Sequence, residues 1–212
     1  MSSVVVVDHP VAGNCLRILR DKRTETEAFR KEMKRLGLLL AIEATRDIEC
    51  VPEPVVTPLE IEINCPRLRD GRILLVPILR AGLGFVDSFL DILPAAKVAH
   101  IGVARDHDTL QAVTYLDTVP DRCADFDRVF VVDPMLATGN SSVKTLEMIV
   151  AKGYKPEQIT LVCALAVEQG IAQVHKKFPA IKIITAVIDP GLNDKAYIVP
   201  GLGDAGDRLN LI

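Results

Sequence analysis

Apolar and polar residues alternate along this chain in two rhythms, and the change of rhythm marks the elements. SVVVVDHP is a short apolar strand that Pro10 stops. Thr24 followed by Glu27 suggests a capping box at the start of a helix. Phe29, Met33, Leu36 and Leu40 then recur at helical spacing, predicting one buried face to about Arg46, with the charges of RKEMKR on the solvated side.

From Ile48 to Asp70 the rhythm changes. Pro52, Pro54, Pro58 and Pro66 exclude helix, while LEIEIN alternates as a half-buried strand does. This predicts an antiparallel arm, about 48–70, with little core of its own and a role in subunit contact.

Beyond the arm the pattern is regular. Near-continuous apolar runs at 72–79, 97–103, 128–133, 158–166 and 181–189 predict strands buried on both faces. Helical spacing in GLGFVDSFLDIL, SVKTLEMIVAKG and Gly170–Lys177 separates them. Strands alternating with helices of this length predict an α/β fold on a parallel sheet. No repeat or linker divides the chain, so one domain over 1–212 is expected. Ligands of such sheets gather beyond the carboxyl ends of the strands.

Composition narrows the classes. The chain has 212 residues and 49% hydrophobic residues, enough for a continuous core. Its formal charge of −3 gives no basic field for nucleic acid or an anionic membrane. No apolar run is long enough for a membrane span, and no signal peptide is expected from MSSVVVVDHP. Five cysteines, never in a CxxC pair, fit reduced thiols and a cytoplasmic setting. The histidines are scattered too, so neither a zinc site nor a Cys–His nucleophile is expected.

Four strand ends carry unusual loops. Arg80-Ala81-Gly82-Leu83-Gly84 puts a guanidinium beside two glycines, which suits an anion as well as an ordinary strand-to-helix turn. The polar segment from Ala104 to about Thr114 is long for a connection and suits a mobile lid, or simply a surface loop. VVDPMLATGNSS (131–142) ends a strand on Asp133 and opens a helix at Thr138-Gly139-Asn140-Ser141-Ser142. Free amides, the dipole and three hydroxyls would meet a phosphate there, and Asp133 could accept from vicinal hydroxyls. The bland alternative is a helix cap by Ser141 or Ser142. No Walker A or GxGxxG motif is present. Finally, Tyr197–Asp207 holds three glycines, a proline and two acids, a composition that lets backbone approach a flat ligand.

VVDPMLATGNSS resembles the phosphoribosyl-pyrophosphate (PRPP) signature of type I phosphoribosyltransferases. Together with VPILRAGL and YIVPGLGDAGDR it is similar to the uracil phosphoribosyltransferases, over nearly the whole chain. The resemblance implies a parallel-sheet type I phosphoribosyltransferase fold with a protruding β-arm and a mobile hood at about 104–114. It implies conversion of uracil and PRPP to UMP and pyrophosphate, as in pyrimidine salvage. Mg²⁺ would be held through the substrate's pyrophosphate and ribose hydroxyls, without protein ligands.

By position, Arg80 and Arg105 would take the pyrophosphate and, with Asp204 beside the phosphoribosyl group, form the catalytic set. Asp133 would hold the ribose hydroxyls. The run continues through Pro134, Met135, Leu136, Ala137, Thr138, Gly139, Asn140 and Ser141, with Ala137 to Ser141 on the 5′-phosphate. Uracil would meet Ile198, Gly203, Asp204 and Ala205 in a C-terminal segment of about 189–212. A homodimer or higher homo-oligomer and a GTP effector are further implications.

Asp133-Pro134 departs from the two adjacent acids of many phosphoribosyltransferases, leaving one carboxylate for the diol. Asn140 replaces a common glycine, and Asn tolerates a positive φ there if one is needed. An RNA-binding regulator on this fold would need a basic face, against the net charge. A purine-using relative would carry a stacking aromatic in the hood, and Ala104–Thr114 has none.

Overall fold

Burial on both faces is what draws the apolar runs into adjacent strands. The computed structural model describes residues 4–105 and 112–211. In chain order the first elements are β1 (Val4–Val6), α1 (Pro10–Arg20), α2 (Thr26–Ala44), β2 (Cys50–Val56) and β3 (Glu62–Leu68). Next come β4 (Ile73–Leu79), α3 (Leu83–Ile92), β5 (Lys97–Val98), β6 (Ile101–Arg105), β7 (Ala112–Asp117) and β8 (Arg128–Val132). The chain continues with β9 (Met135–Leu136), α4 (Asn140–Ala151), β10 (Ile159–Val167), α5 (Glu168–Lys177) and β11 (Lys182–Asp189). It closes with β12 (Gly191–Leu192), β13 (Ile198–Val199) and α6 (Ala205–Arg208).

The main sheet runs β1-β11-β10-β8-β4-β6-β7, with β5 beside β4 and β9 beside β10. All pairs in it are parallel except β6–β7. β10 lies inside the sheet between β11 and β8, and every one of its nine residues is buried. Helices α1, α2 and α3 cover one face, where Phe29, Met33, Leu36 and Leu40 are wholly buried as the periodicity predicts. α4 and α5 cover the other through Leu146, Ile149, Ile171 and Val174.

Several local expectations are corrected. Pro10 does not merely stop β1: it is the first residue of α1, where a missing N–H costs nothing, and His9 caps the helix by accepting from the Val11 N–H at 3.1 Å. The Thr24–Glu27 capping box does not form. The helix begins after Glu25, and the Thr24 hydroxyl instead donates to the Ile18 carbonyl at 2.6 Å, because α1 lies within its reach. Nor is RKEMKR wholly solvated. Glu32 is buried beneath Arg35, which bonds it at 2.8 Å, and this pairing pays for taking a carboxylate out of water. Burial and the Glu32 charge push the neighbouring Cys15 thiol up to about 11.

The apolar run 97–103 is two strands. Its ladder to β4 is interrupted where the His100 N–H turns to the Thr118 hydroxyl at 2.7 Å. After β6 the chain returns as β7 in an antiparallel hairpin, not as a free loop, from Ala112 onward. Residues 106–111 of the expected hood lie outside the described residues.

The arm is the β2–β3 ribbon, paired from Cys50–Leu68 to Val56–Glu62. LEIEIN is not half-buried in this chain. Leu59 to Ile61 form the turn, where Glu60 takes a positive φ of 59°, and β3 starts only at Glu62. Val56, Leu59, Ile61 and Ile63 are all exposed.

Candidate active site

The carboxyl ends of β4 and β8 lie side by side, since Pro77 pairs with Val132. The exposed Arg80 follows β4 directly, after a cis Leu79–Arg80 peptide. The turn is tucked against the sheet: a Cβ on Gly82 would lie 2.5 Å from the Val132 carbonyl oxygen and 2.7 Å from that of Ile78. Gly82, two residues after Arg80, is thereby held against the end of β8. Both glycines of the turn are closely packed. Gly84 lies inside α3, where a Cβ would meet the Leu209 side chain at 2.8 Å.

Asp133 leaves β8 but stays on the sheet, its N–H donating to Val162 at 3.1 Å. Pro134 offers no N–H, yet its carbonyl accepts from both Ala164 and Leu165 at 3.0 Å. Met135 and Leu136 then resume pairing with β10 as β9. Desolvation lifts the half-buried Asp133 carboxyl to about 7, against the pull of the Met135 backbone N–H and with help from the Asp204 charge.

The left-handed residue of the next turn is Gly139, with φ of 82°, and it is the helix cap. Asn140 is the first residue of α4 and has helical backbone, so it needs no positive φ; the left-handed position is filled one residue earlier, by glycine. Neither serine caps the helix. Ser142 is buried, which removes one of the three expected hydroxyls from the loop, whereas Ser141 lines the cleft. α4 thus starts two residues before the helical spacing of SVKTLEMIVAKG suggests, so Asn140 and Ser141 belong to its first turn. Pro134, Leu136 and Gly139 are buried, so only their backbone could reach a ligand; Ala137 and Thr138 are half-buried and Asn140 is exposed.

Opposite this run stands the C-terminal segment. β12 and β13 form a small hairpin with Ile198 buried, and Asp204 caps α6 by accepting from the Asp207 N–H at 3.0 Å. A cleft of about 420 Å³ separates the halves. Asp133, Met135, Ala137 and Ser141 line one wall, and Ile198, Gly203, Asp204 and Ala205 the other. Ala81, next to Arg80, closes a third side. Arg105 ends β6 at the base of the β6–β7 hairpin.

Sequence reasoning passed over the residues that hold the second wall. Arg208 donates to the carbonyls of Leu19, Leu202 (2.8 Å), Asp21 (2.9 Å) and Thr24 (3.1 Å) and lies 4.3 Å above the Phe29 ring. Burial lowers its pKa, since carbonyl dipoles and not a carboxylate receive it. Buried Asp189, at the end of β11, pairs with Arg20 at 2.6 Å. An aspartate ending an apolar strand was the one available signal, the same one that marked Asp133.

The family model "Uracil phosphoribosyltransferase" matches residues 6–210. This chain belongs to the uracil phosphoribosyltransferase family. It is 46% identical over 209 residues to uracil phosphoribosyltransferases of Sinorhizobium fredii and Agrobacterium fabrum, covering 99% of this chain and 98% of each relative. Among solved structures it resembles the AQ2163 protein of Aquifex aeolicus, with TM-score 0.89, 35% identity and 99% and 98% coverage. The adenine phosphoribosyl transferase of Trypanosoma brucei matches at TM-score 0.53 and 11% identity, over 90% of this chain and 84% of its own, and shares the fold. The α/β architecture is thus that of the type I phosphoribosyltransferases.

Proposed function

We propose that this chain transfers the phosphoribosyl group of PRPP to uracil, giving UMP and pyrophosphate. One observation carries the reading: a single cleft has a strand-end acid and a helix N-terminus on one wall and a glycine-rich backbone turn on the other. The first wall suits a ribose 5-phosphate and the second a flat base. Family membership supports the same reaction and a place in pyrimidine salvage.

On this reading Asp133 accepts from the ribose hydroxyls, and the run from Pro134 and Met135 through Leu136, Ala137, Thr138, Gly139, Asn140 and Ser141 cradles the 5′-phosphate. Ile198, Gly203, Asp204 and Ala205 bracket uracil. The bond from uracil N1 to the anomeric carbon forms as pyrophosphate leaves with its bonding pair, through a cation-like centre, and the N1 proton departs to the released pyrophosphate or to water. Arg80 and Arg105 receive the charge that develops on the leaving group, and Asp204 faces the cationic ring. Closure of the hood carrying Arg105 would exclude water from that centre. No protein nucleophile is needed.

Mg²⁺ fits this donor set. Asp133 and Asp204 both line the cleft, where their carboxylates would sit beside a metal held through substrate oxygens. When bound, it supplies further charge neutralisation on the pyrophosphate.

The exposed apolar residues of the β2–β3 ribbon support a homodimer or higher homo-oligomer, and a GTP effector belongs to the same proposal. No helix among the described residues is long and apolar enough to cross a membrane. A cytoplasmic enzyme is the consistent reading.

The test is competition between uracil and cytosine for PRPP, following pyrophosphate release. Backbone polarity is fixed, so an N–H aimed at uracil O4 and a carbonyl aimed at N3–H would both be mismatched by cytosine. Each unpaired buried group costs about 1–3 kcal/mol, giving discrimination of roughly 10²–10⁴. Comparable kcat/KM for the two bases would defeat the choice of uracil.

A further inference from the structure

Neither Arg20 nor Asp189 lines the cleft, yet between them they use up both backbone polar groups of one residue in the base-facing segment. The Gly201 N–H donates to Asp189 Oδ2 at 3.0 Å. The Gly201 carbonyl accepts from Arg20 Nη1 at 2.9 Å. The ring is closed by the ion pair itself, Nη1 to Oδ2 at 2.9 Å and Nη2 to Oδ1 at 2.6 Å. Gly201 has φ of 59°, and a Cβ there would stand 2.1 Å from the Ile198 carbonyl oxygen, so the chain folds back on itself at this point. Ile198 lies three residues before and Gly203 two residues after.

We propose that Arg20 and Asp189 are positioning residues for base recognition, clamping Gly201 so that the backbone on either side presents fixed donors and acceptors to the base. The inference rests on the assignment of Ile198 and Gly203–Ala205 to uracil. The chemistry requires a guanidinium. Its planar fork serves the carboxylate with two nitrogens and the carbonyl with one of them, which an ammonium cannot do in one geometry. Burial of Asp189 keeps water from competing for these bonds. The clamp is local to the base: among the described residues, neither side chain hydrogen-bonds to the Asp133–Ser141 run. Substrates should therefore feel its loss unequally.

Arg20→Lys in the full-length enzyme keeps the charge and loses the fork. The expected result is a rise in uracil KM of about tenfold to hundredfold, because recognition by fixed backbone groups tolerates little displacement. The KM for PRPP and the melting temperature should hold, and discrimination against cytosine should fall. Asp189→Asn, which can still accept from the Gly201 N–H, should show a smaller shift in the same direction. Unchanged uracil KM in both variants, equal loss on both substrates, or failure of both variants to fold would overturn the clamp and leave a structural ion pair. Wild-type protein inert on uracil would instead refute the functional reading, whatever the variants do.

Discussion

Gly170 of α5 touches the proposed phosphate loop from behind: a Cβ on it would lie 2.3 Å from the Ala137 carbonyl oxygen and 2.9 Å from that of Leu136. In return, a Cβ on Gly139 would meet the Gly170 carbonyl at 2.9 Å. The loop and α5 pack backbone to backbone, so the loop's shape is set by a helix about 30 residues further along the chain.

Gly170→Ala should therefore act at a distance from any substrate. The inserted methyl must push Ala137 forward, at a cost of about 1–3 kcal/mol in stability. PRPP affinity should fall while uracil KM at saturating PRPP stays near wild type. Thermal melting with calorimetric titration of PRPP checks both, and unchanged PRPP affinity would contradict this brace.

Asp133 couples stability to pH. Its carboxyl moves from 3.8 to about 7 on folding, so the folded state binds more protons between those values and stability falls as pH rises across that window. Asp133→Asn removes the penalty and should be more stable than wild type at pH 8, by an amount on the order of a few kcal/mol, and so melt higher. The same variant should bind PRPP more weakly. In the wild type, PRPP affinity should strengthen as pH rises through about 7, because the proposed acceptor of the ribose hydroxyls is the carboxylate form. A melting temperature for Asp133→Asn equal to or below wild type at pH 8 would contradict the burial argument.

Gly203 separates space from backbone shape. A Cβ there would approach nothing closer than the Arg208 side chain at 3.5 Å, but φ is 83°. Gly203→Val should thus shift the turn and hold the base away, abolishing uracil use while PRPP binding persists. Isothermal titration with PRPP alongside an activity assay tests this, and full activity in the variant would remove Gly203 from the base site.

The arm offers a physical test of assembly. Leu59 is 80% exposed and Ile61 56%, a cost that a second subunit would relieve. Sedimentation of the wild type at micromolar concentration should show a dimer or larger species, and Leu59→Asp with Ile61→Asp should shift it toward monomer. A wild-type monomer would refute the arm's role.

Arg105→Ala should lower turnover far more than melting temperature, since its proposed contact exists only with pyrophosphate present. A large loss of melting temperature with normal turnover would mark Arg105 as structural.

The sequence by itself determined what depends on neighbours in the chain. Apolar periodicity marked the buried face of α2 and the core strands, because burial repeats at a fixed spacing. Asp133 and the start of α4 stood out as an acid and a glycine where an apolar run ends. Tertiary structure decided what depends on residues far apart. Arg20 finds Asp189 across 169 positions, and Arg208 reaches back 189 positions to Leu19. Glu32 is buried because α1 and α2 pack together, although a charge at its helical position is equally suited to solvent. Local pattern says that a residue will be buried or a turn made; the partner that fixes its geometry is supplied only when distant segments close on one another.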